Sequence, residues 1–274
     1  MHRTLQILQL NVHKRREVQQ SLLNDEGLKD YAALAISEPY ARTIDDSVVT
    51  VPTGHHNWTK IIPTTTRRDT VWPIRSMLWV RSDLEVEQIP VPSADLTAAK
   101  IRLPDRIVLM VSVYVEGSSD EALEGAVGEL DRLIRRFPGG TGTRTDIILA
   151  GDFNRHDQLW GGDDILPSRQ GKGDLIVNLI EEHSLCSLLP RGTKTWQSGD
   201  KESTIDLVLA SAELADQLLK CTIHPCDHGS DHRAIETAFD ITIEDRPSET
   251  RLLFKNAPWA DIRDRVTATL THTP

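Results

Sequence analysis

The sequence predicts a mixed α/β (α+β) protein in which two mostly antiparallel sheets pack together and are flanked by helices. Three observations predict this class: strand-like segments outnumber helical ones, long strand-rich stretches separate the helices, and Pro and Gly punctuate the strands. The chain has 274 residues, of which 39% are hydrophobic and 26% charged, so it is long enough to bury a sizeable core. A doubly wound parallel sheet is disfavoured because the strands and helices do not alternate one by one.

The first half of the chain opens with a strand-like segment (LQILQLNV), a helical segment (REVQQSLLNDEGLKD) and a short buried strand (YAALAIS). The helix is predicted by apolar residues at helical spacing, Val18, Leu22, Leu23 and Leu28. The pattern that follows predicts a meander of antiparallel strands. Its candidate strands are 47–52, 57–63, 76–82, 84–91, 98–103 and 106–115.

In the second half, helical and strand-like patterns alternate, with a Ser/Asp start to the first helix. The predicted helices are 119–137, 173–185 and 212–219, and the predicted strands are 145–154, 203–211 and 233–243. These elements complete one domain, which is predicted to span residues 1–243. Residues 244–274 are predicted to form a linker and an amphipathic helix whose apolar positions are Trp259, Ile262, Val266 and Leu270. This helix either docks on the domain or leads into a further part of a longer protein.

The formal net charge of −10 argues against a protein that holds nucleic acid by nonspecific electrostatics, because such binding depends on basic residues that replace condensed counterions. It does not exclude a nuclease, since carboxylates around a divalent cation add negative charge that the metal offsets locally. Three cysteines are too few for a disulfide framework and fit a reducing compartment. With no apolar run of about 18–20 residues and no signal peptide, an intracellular protein without membrane contact is expected.

Polar residues end or interrupt several of the predicted buried strands. Each alone has a structural explanation as a turn or strand-end residue, although Asp206 is unusual because Asp is a poor strand former. Buried carboxylates are costly unless they are paired or bind a metal, so the set favours a common explanation. The residues are Asn11, Glu38, Asp152 with Asn154, Asp206, and Asp231 with His232.

These residue types are those of a metal-assisted phosphodiester hydrolase. Asn11, Glu38 and Asp231 offer the hard oxygen ligands that Mg²⁺ prefers. Attack of water on phosphorus also needs a base, for which Asp152 is the candidate. Asn154 lies on the same face of an extended segment and can orient the water or a phosphate oxygen. A pair formed by Asp206 and His232 would hold the imidazole in one tautomer, with positive charge near the phosphate.

In order and spacing, six motifs resemble those of the endonuclease/exonuclease/phosphatase superfamily, which includes DNase I-like nucleases and apurinic/apyrimidinic endonucleases. They are LQLN at 8–11, SE at 37–38, SVYV at 112–115, GDFN at 151–154, TIDLVLAS at 204–211 and GSDH at 229–232. The resemblance covers about residues 4–241 and implies a four-layer α/β sandwich with a divalent metal, usually Mg²⁺, with Mn²⁺ as the alternative. Within the superfamily, GDFNRHDQLWGG is most similar to the endonuclease domain of non-LTR retrotransposons, particularly fungal ones.

That likeness implies a monomeric nuclease that nicks one DNA strand and exposes a 3′-hydroxyl for target-primed reverse transcription. The segment at 251–266 resembles the connection to a reverse transcriptase, and a chromosomal substrate implies the nucleus. The resemblance, carried over by position, implies the same roles for the metal-site residues, for Asp152 and Asn154, and for the Asp206–His232 pair as those proposed above from residue chemistry. It adds Tyr114 as the tyrosine that contacts the scissile phosphate. Two departures stand out: His13 replaces an Asp or Asn of many relatives, and Glu116-Gly117 stands where relatives often have Pro-Asn. Both departures raise the question of a reduced rate or an altered substrate choice.

Three further residues are candidates for DNA contact: Arg155 and His156, just beyond GDFN, and Trp196, which can stack on a base. A plain loop or packing role is an alternative for His156 and Trp196. A zinc site is a weaker candidate, because in an extended chain the first of its four potential ligands faces away from the rest. Those ligands are Cys221, His224, Cys226 and His228.

Two other functions stay open at this point. One is a phosphatase acting on an inositol phosphate or lipid, because the fold alone does not distinguish it from a nuclease. The other is a catalytically weakened DNA-binding module, which His13 and Gly117 suggest. The extended GDFNRHDQLWGG motif favours the nuclease.

Overall fold

The computed structural model describes residues 3–68, 70–117, 119–137, 143–163, 165, 169, 171–242 and 258–271. The chain divides into two compact units, Met1–Thr242 and Ile243–Pro274. Among the described residues, no helix is both long enough and apolar enough to cross a membrane.

The described strands of the first unit are, in chain order, β1 (Thr4–Asn11), β2 (Ala33–Ser37), β3 (Ala41–Ile44), β4 (Ser47–Thr50), β5 (Trp58–Ile61), β6 (Ser76–Arg81), β7 (Glu85–Ile89), β8 (Leu96–Arg102), β9 (Arg106–Tyr114), β10 (Arg144–Asp152), β11 (Leu185–Ser187), β12 (Trp196–Ser198), β13 (Lys201–Ser203), β14 (Asp206–Ser211), β15 (Leu218–Ile223) and β16 (Ile235–Asp240). The described helices of the chain are α1 (Arg16–Leu23), α2 (Asp120–Arg136), α3 (Gln158–Gly161), α4 (Asp174–Glu182), α5 (Ala212–Ala215) and α6 (Trp259–Thr271).

Two six-stranded sheets form the body of the first unit, in the orders β15-β16-β1-β2-β6-β5 and β11-β14-β10-β9-β8-β7. Each sheet contains a parallel pair at its centre, β1 with β2 and β9 with β10, while the other neighbours are antiparallel. Short two-stranded sheets are formed by β3 with β4 and by β12 with β13. The predicted pair of mostly antiparallel sheets is therefore confirmed.

Three apolar clusters arrange these elements in four layers. One cluster lies between the two sheets, a second joins the outer face of the β9-β10-β14 sheet to α2 and α4, and a third joins the outer face of the β1-β2-β6 sheet to α1. The helices pack because apolar residues recur at helical spacing, as with Val18 and Leu22 of α1 and Leu123 and Leu130 of α2. Ser119 begins α2 by accepting a hydrogen bond from the backbone N–H of Ala122. The predicted flanking helices are therefore confirmed.

The space between the sheets changes from apolar to polar along the strands. Side chains at every second position share a face, so Gln9 and Asn11 continue the inward row that begins with Leu5 and Ile7. The same change occurs in five strands that meet at this edge. The inward positions at the polar ends are Gln9 and Asn11, Ser37, Ser112 and Tyr114, Asp152, and Asp206.

Hydrogen bonds replace apolar contacts at this polar end. Gln9 Nε2 donates to Asp206 Oδ1 over 2.9 Å, and Asn11 Nδ2 donates to Asp152 Oδ2 over 2.9 Å. Ser37 Oγ donates to the carbonyl of Val113 over 2.8 Å and accepts from the backbone N–H of Asp152. These bonds tie one sheet to the other, which fixes the relative positions of the strand ends.

Gly151 allows β10 to approach β9 at this edge. A Cβ atom at Gly151 would lie 1.9 Å from the carbonyl oxygen of Val113, its register partner. Such a contact is far inside van der Waals range, so only glycine fits here without a backbone shift. The glycine of GDFN therefore sets the position of the Asp that follows it.

Several predicted elements have different bounds in the structure. The helix predicted at 212–219 is wrong beyond its first turn: α5 ends at Ala215, and Leu218 begins β15. Pairing with β16 overrides the local helical pattern, because Cys221 faces the core between the sheets. The hairpin of β12 and β13 was not predicted, because strands of three mostly polar residues are too short to show an alternating pattern.

The second unit contains α6 among its described residues. The apolar side chains of Trp259, Ile262 and Val266 are exposed. The structure thus places a helix where the sequence pattern predicts one. The linker predicted between the two units lies outside the described residues.

Candidate active site

Parallel and antiparallel strands bring the predicted polar residues to one edge of the two sheets. The parallel strands β1, β2, β9 and β10 all end there, whereas the antiparallel strands β14 and β16 begin there. The register places Asp152 opposite Tyr114 on one side and opposite Asp206 on the other. Residues distant in sequence therefore converge because six strands share this edge.

Asp152 is buried and lies at the centre of a hydrogen-bond network. Its Oδ2 atom accepts from the side-chain amides of Asn11 and Asn154, each over 2.9 Å, and its Oδ1 atom accepts from the backbone N–H of Asn154 over 2.9 Å. Burial and the neighbouring charge of Asp206 raise the pKa of the Asp152 carboxyl to about 8, despite the opposing effects of His232 and of these bonds. Ionisation of both carboxylates would therefore place an excess of negative charge in the site, which a bound cation would relieve.

Asp206 and His232 form the predicted pair. His232 Nδ1 and Asp206 Oδ2 lie 2.8 Å apart, and both side chains are buried. Burial lowers the pKa of His232, but the charge of Asp206 and its hydrogen bond outweigh burial and raise that pKa to about 9. The imidazole is therefore protonated at neutral pH. Because Nδ1 bonds Asp206, Nε2 is the ring nitrogen that can reach a substrate in the adjoining cleft.

Gln9 is a site residue that the sequence reasoning missed. It is fully buried, and its amide holds the second carboxylate oxygen of Asp206. Its signal was present in the sequence, since Gln9 stands two positions before Asn11 and so shares its face of the strand. Gln9 fixes the rotation of the Asp206 carboxylate and, through it, the orientation of His232.

Strained backbone accompanies the site. Glu38 and Asn154 have positive φ angles of 48° and 49°, and His13 and Lys14 have φ angles of 50° and 55°. Asn tolerates this left-handed region, but for Glu and Lys it is costly and needs surrounding support. A Cβ atom at Gly117 would lie 3.3 Å from Asn154 Oδ1, so Gly117 leaves just enough room for the Asn154 side chain.

Two of the predicted metal ligands carry basic partners in the structure. Lys14 Nζ lies 2.5 Å from Glu38 Oε1, and His13 Nδ1 lies 2.9 Å from Asp231 Oδ1. Trp196 Nε1 donates to the other oxygen of Asp231 over 3.2 Å. His13 therefore contacts a predicted metal ligand where relatives offer an oxygen donor. The ammonium of Lys14 thus neutralises the carboxylate of Glu38, one of the predicted metal ligands.

The residues fit a divalent cation by their chemistry. A carboxylate oxygen of Asp152, one of Asp206 and a ring nitrogen of His232 lie within 4.8 Å of one another, and the two carboxylates are the oxygen donors among them. Glu38 stands beside this group, because it directly follows Ser37, whose hydroxyl accepts a hydrogen bond from the backbone N–H of Asp152. Hard carboxylate and amide oxygens with excess negative charge are the donor set for Mg²⁺ or Mn²⁺. Of the three predicted metal ligands, Asn11, Glu38 and Asp231, Asn11 forms a hydrogen bond to Asp152 of this group.

The other described cluster of potential ligands is an ion-pair network and not a metal site. It consists of Asp131, Glu182 and His183 on the outer helices. Arg135 pairs with both Asp131 and Glu182, so their negative charge is already neutralised. At the segment that was a weaker candidate for zinc, the described residues do not gather three ligand atoms, and Cys221 is buried between the sheets. The structure therefore gives the zinc candidate no support.

Tyr114 borders the site from the end of β9. Its ring lies under the guanidinium of Arg75, with 4.8 Å between Arg75 Cζ and the ring centroid. Arg75 is itself held by two bonds to Asp95, of 2.6 and 2.5 Å, and one of 2.7 Å to Glu116. The phenol therefore has a fixed ring and an unionised hydroxyl, because burial raises its pKa. Arg75 was not predicted, since nothing in its local pattern marks it.

A polar cleft of about 750 Å³ opens beside the site. Asn154, His156, Trp196 and His232 line it, together with three basic residues. The basic residues are Arg169, Lys194 and Lys201, and two acidic residues, Asp200 and Glu202, line the cleft as well. Burial and nearby cations lower the pKa of His156 to about 4, so this ring is neutral while it bonds Arg169. The cleft thus combines an aromatic ring with three basic and two acidic side chains, a small excess of positive charge that is compatible with a nucleic acid strand.

Arg155 differs from the expectation of a DNA contact. It is buried, and its guanidinium donates to four backbone carbonyls. These belong to Glu116, Gly117, Ser119 and Asn154, at 2.5 to 3.1 Å. Arg155 therefore holds the loop after β9 against the loop after β10, and this loop contact leaves little capacity to bind DNA.

Comparisons with known proteins agree with this architecture. Residues 108–236 match the family model described as endonuclease-reverse transcriptase. A sequence comparison with curated proteins finds no match. Among solved structures, the endonuclease domain of TRAS1, a telomere-specific non-LTR retrotransposon, is 19% identical with a TM-score of 0.71, and the alignment covers 87% of this chain and 99% of that one.

Two further solved structures have the same fold. An AP endonuclease from Leishmania major is 11% identical with a TM-score of 0.68, covering 88% of this chain and 89% of that one. A 3′ phosphatase from Neisseria, bound to a product DNA hairpin, is 17% identical with a TM-score of 0.60, covering 86% and 99%. The resemblance to the DNase I-like endonuclease/exonuclease/phosphatase superfamily is thus confirmed, and residues 108–236 of this chain match its endonuclease-reverse transcriptase family.

Proposed function

We propose that the chain is a divalent-metal-dependent endonuclease that nicks one strand of DNA and leaves a 3′-hydroxyl for target-primed reverse transcription. The observation that carries the proposal is the buried cluster of Asp152, Asp206 and His232 beside a polar cleft with basic and aromatic walls. The match of residues 108–236 to an endonuclease-reverse transcriptase family supports the retrotransposon role. The partners proposed are DNA and a reverse transcriptase domain, and the place of action proposed is the nucleus.

The residues divide the work of hydrolysis among them. Asp152 accepts a proton from the attacking water while the water oxygen bonds to phosphorus. The bond from phosphorus to the 3′-oxygen breaks, and the 3′-oxygen takes a proton from solvent water to become the 3′-hydroxyl. Asn154 and Tyr114 contact the phosphate, and the protonated His232, held by Asp206, stabilises the negative charge that develops there. A divalent cation held by Glu38, Asn11 and Asp231 would supply further positive charge at the phosphate and favour the ionised form of Asp152.

Supercoiled plasmid with Mg²⁺ provides the test, with an Asp152→Ala variant as the control. Relaxed circles from the unmodified protein alone are expected. A DNA polymerase should then extend the nick directly, since it requires a 3′-hydroxyl. Nicks that need prior phosphatase treatment before extension would contradict the proposed product.

A phosphatase is the second candidate, because one neighbour of the same fold is a 3′ phosphatase. Phosphate release from inositol phosphates or from 3′-phosphorylated DNA, without nicking, would support it. DNA binding without hydrolysis of any of these substrates would indicate a binding module in which His13 and Gly117 have weakened catalysis.

A further inference from the structure

An aromatic and arginine cluster lies on the continuation of the β2–β6 ladder beyond the site. The two strands are antiparallel, with Ser37 opposite Ser76, and the ladder continues as Glu38 N–H donates to the carbonyl of Arg75 over 2.8 Å. Further along these two segments, the rings of Tyr40 and Trp72 meet edge to face with centroids 5.6 Å apart. The cluster is therefore built on the same two segments that position Glu38.

Arg42 completes this cluster. Its guanidinium carbon lies 5.3 Å from the centroid of the Tyr40 ring and 5.2 Å from that of Trp72. The Arg42 side chain is exposed, and in the part of the chain that the structure describes it forms no hydrogen bond or ion pair. Most other arginines near the site are paired, as Arg75 is with Asp95. Arg42 thus keeps its five N–H donors available while two rings restrict its motion.

The support beneath the cluster is rigid. Gln19 is fully buried, accepts from the backbone N–H of Tyr40 over 2.8 Å and donates to the carbonyl of Val51 over 2.7 Å. On the other segment, Arg67 N–H donates to the carbonyl of Pro73 over 2.8 Å. A long exposed side chain normally loses about 2 kcal/mol of rotamer entropy when it is ordered on binding. Because the rings already restrict Arg42, less of that loss falls on the binding step.

We propose that Arg42, held between Tyr40 and Trp72, binds a backbone phosphate of the DNA that flanks the scissile phosphate. This inference rests on the proposed endonuclease function. A planar guanidinium that has no carboxylate partner among the described residues can bond two phosphate oxygens. Arg42 stands four positions after Glu38, so their Cα atoms lie at most about 14 Å apart, which corresponds to at most about four base pairs along a duplex. The net charge of −10 makes such a preorganised contact valuable, because general attraction to DNA is weak.

Binding of a labelled 30-base-pair duplex to the inactive Asp152→Asn protein, measured by fluorescence anisotropy with Mg²⁺ at several NaCl concentrations, tests the assignment. Arg42→Gln is expected to raise Kd about 3- to 10-fold and to reduce the slope of log K against log salt by about 0.9, the value for one phosphate. Arg42→Lys keeps the charge but loses the planar stack, so a smaller rise in Kd with an unchanged slope is expected.

Arg136→Gln is the matched control. Arg136 is exposed at the end of α2 that lies farthest from the site, about 24 Å along the helix from Asp120. Its substitution should leave Kd and slope unchanged. If Arg42→Gln has the Kd and slope of its parent while the active protein nicks plasmid, the Arg42 inference alone is overturned. If the parent does not bind the duplex and the active protein does not nick, both this inference and the proposed function are overturned.

Discussion

Replacing Asp152 by Asn should change how stability depends on pH in the metal-free protein. The Asp152 carboxyl is fully buried, and burial together with the charge of Asp206 raises its pKa from 3.8 to about 8. Between these values the folded state holds a proton that the unfolded state has released. The free energy of unfolding of the natural protein should therefore fall as pH rises, by about 1.4 kcal/mol per pH unit at most. The Asn variant lacks this dependence.

The hydrogen bonds of Asp152 do not affect the sign of this expectation. Asp152 Oδ2 accepts hydrogen bonds from the side-chain amides of Asn11 and Asn154. In the Asn variant an N–H donor replaces one carboxylate oxygen, so at least one of these bonds is lost, and the resulting loss of stability is about the same at every pH. The difference in unfolding free energy, variant minus natural protein, should still rise by up to about 4 kcal/mol from near pH 5 to near pH 8.

His232 contributes in the same direction. Its folded pKa is raised to about 9, so its stabilising effect is complete below its ordinary value of 6.5 and is lost as pH rises through 9. The charge of Asp152 is one cause of that raised pKa, although burial opposes it and Asp206 contributes more. Removing the Asp152 charge weakens this pH dependence as well. Both groups therefore make the variant less sensitive to rising pH than the natural protein.

Urea denaturation in EDTA at several pH values measures the difference in unfolding free energy between the Asp152→Asn variant and the natural protein. Asp146→Asn is the control, because Asp146 is equally buried but pairs with Arg106 and Arg144. Adding Mg²⁺ at high pH should stabilise the natural protein and have less effect on Asp152→Asn, since bound ligand stabilises the folded state by mass action. A difference between variant and natural protein that stays constant from near pH 5 to near pH 8 would refute the reasoning about excess negative charge.

Three other substitutions have definite expectations. Gly151→Ala places a methyl group 1.9 Å from a carbonyl oxygen, so a loss of about 4 kcal/mol or more, or failure to fold, is expected in thermal denaturation. Arg155→Ala removes the donor to the part-buried carbonyls of Glu116, Gly117 and Ser119 and should lower the free energy of unfolding in urea by about 1–3 kcal/mol. Arg155→Lys should lose less, and equal stability of the Ala variant and its parent would contradict the loop role. Lys14→Met removes the ammonium at Glu38 and should tighten Mg²⁺ binding several-fold by calorimetry, and unchanged binding would show that Lys14 does not compete.

The sequence predicts most of this site because the chemistry of Mg²⁺-dependent hydrolysis needs residue types that stand out in aliphatic strands. Asp152 and Asp206 are conspicuous within such strands, and the structure pairs them in register. Gln9 was overlooked because a Gln in a strand commonly faces solvent, and only the position of the opposite sheet shows that it faces Asp206. Register between two sheets depends on tertiary packing, which no single segment of sequence encodes.

Roles were harder to predict than positions. Arg155 follows Asn154 directly, so its sequence position suggests a substrate contact, yet its guanidinium turns inward to backbone carbonyls. Arg42 is the opposite case: no sequence motif marks it, yet its side chain is exposed and is proposed to bind a ligand. Its contacts with the rings of Tyr40 and Trp72 form only when two segments distant in sequence come together. Whether a basic side chain contacts a ligand or supports a loop is decided by the donors and acceptors that the fold places around it.

The polar end of the space between the sheets explains why a fold would keep an arrangement that lowers its own stability. Apolar residues at Gln9, Ser37, Asp152 and Asp206 would extend the core and add hydrophobic burial. Instead, two carboxylates share a buried site, and one of them has a pKa of about 8. The inter-sheet hydrogen bonds offset part of this cost and also hold the two sheets at a fixed spacing. The destabilising pair of carboxylates can persist because the apolar remainder of the two sheets is large enough to offset its cost.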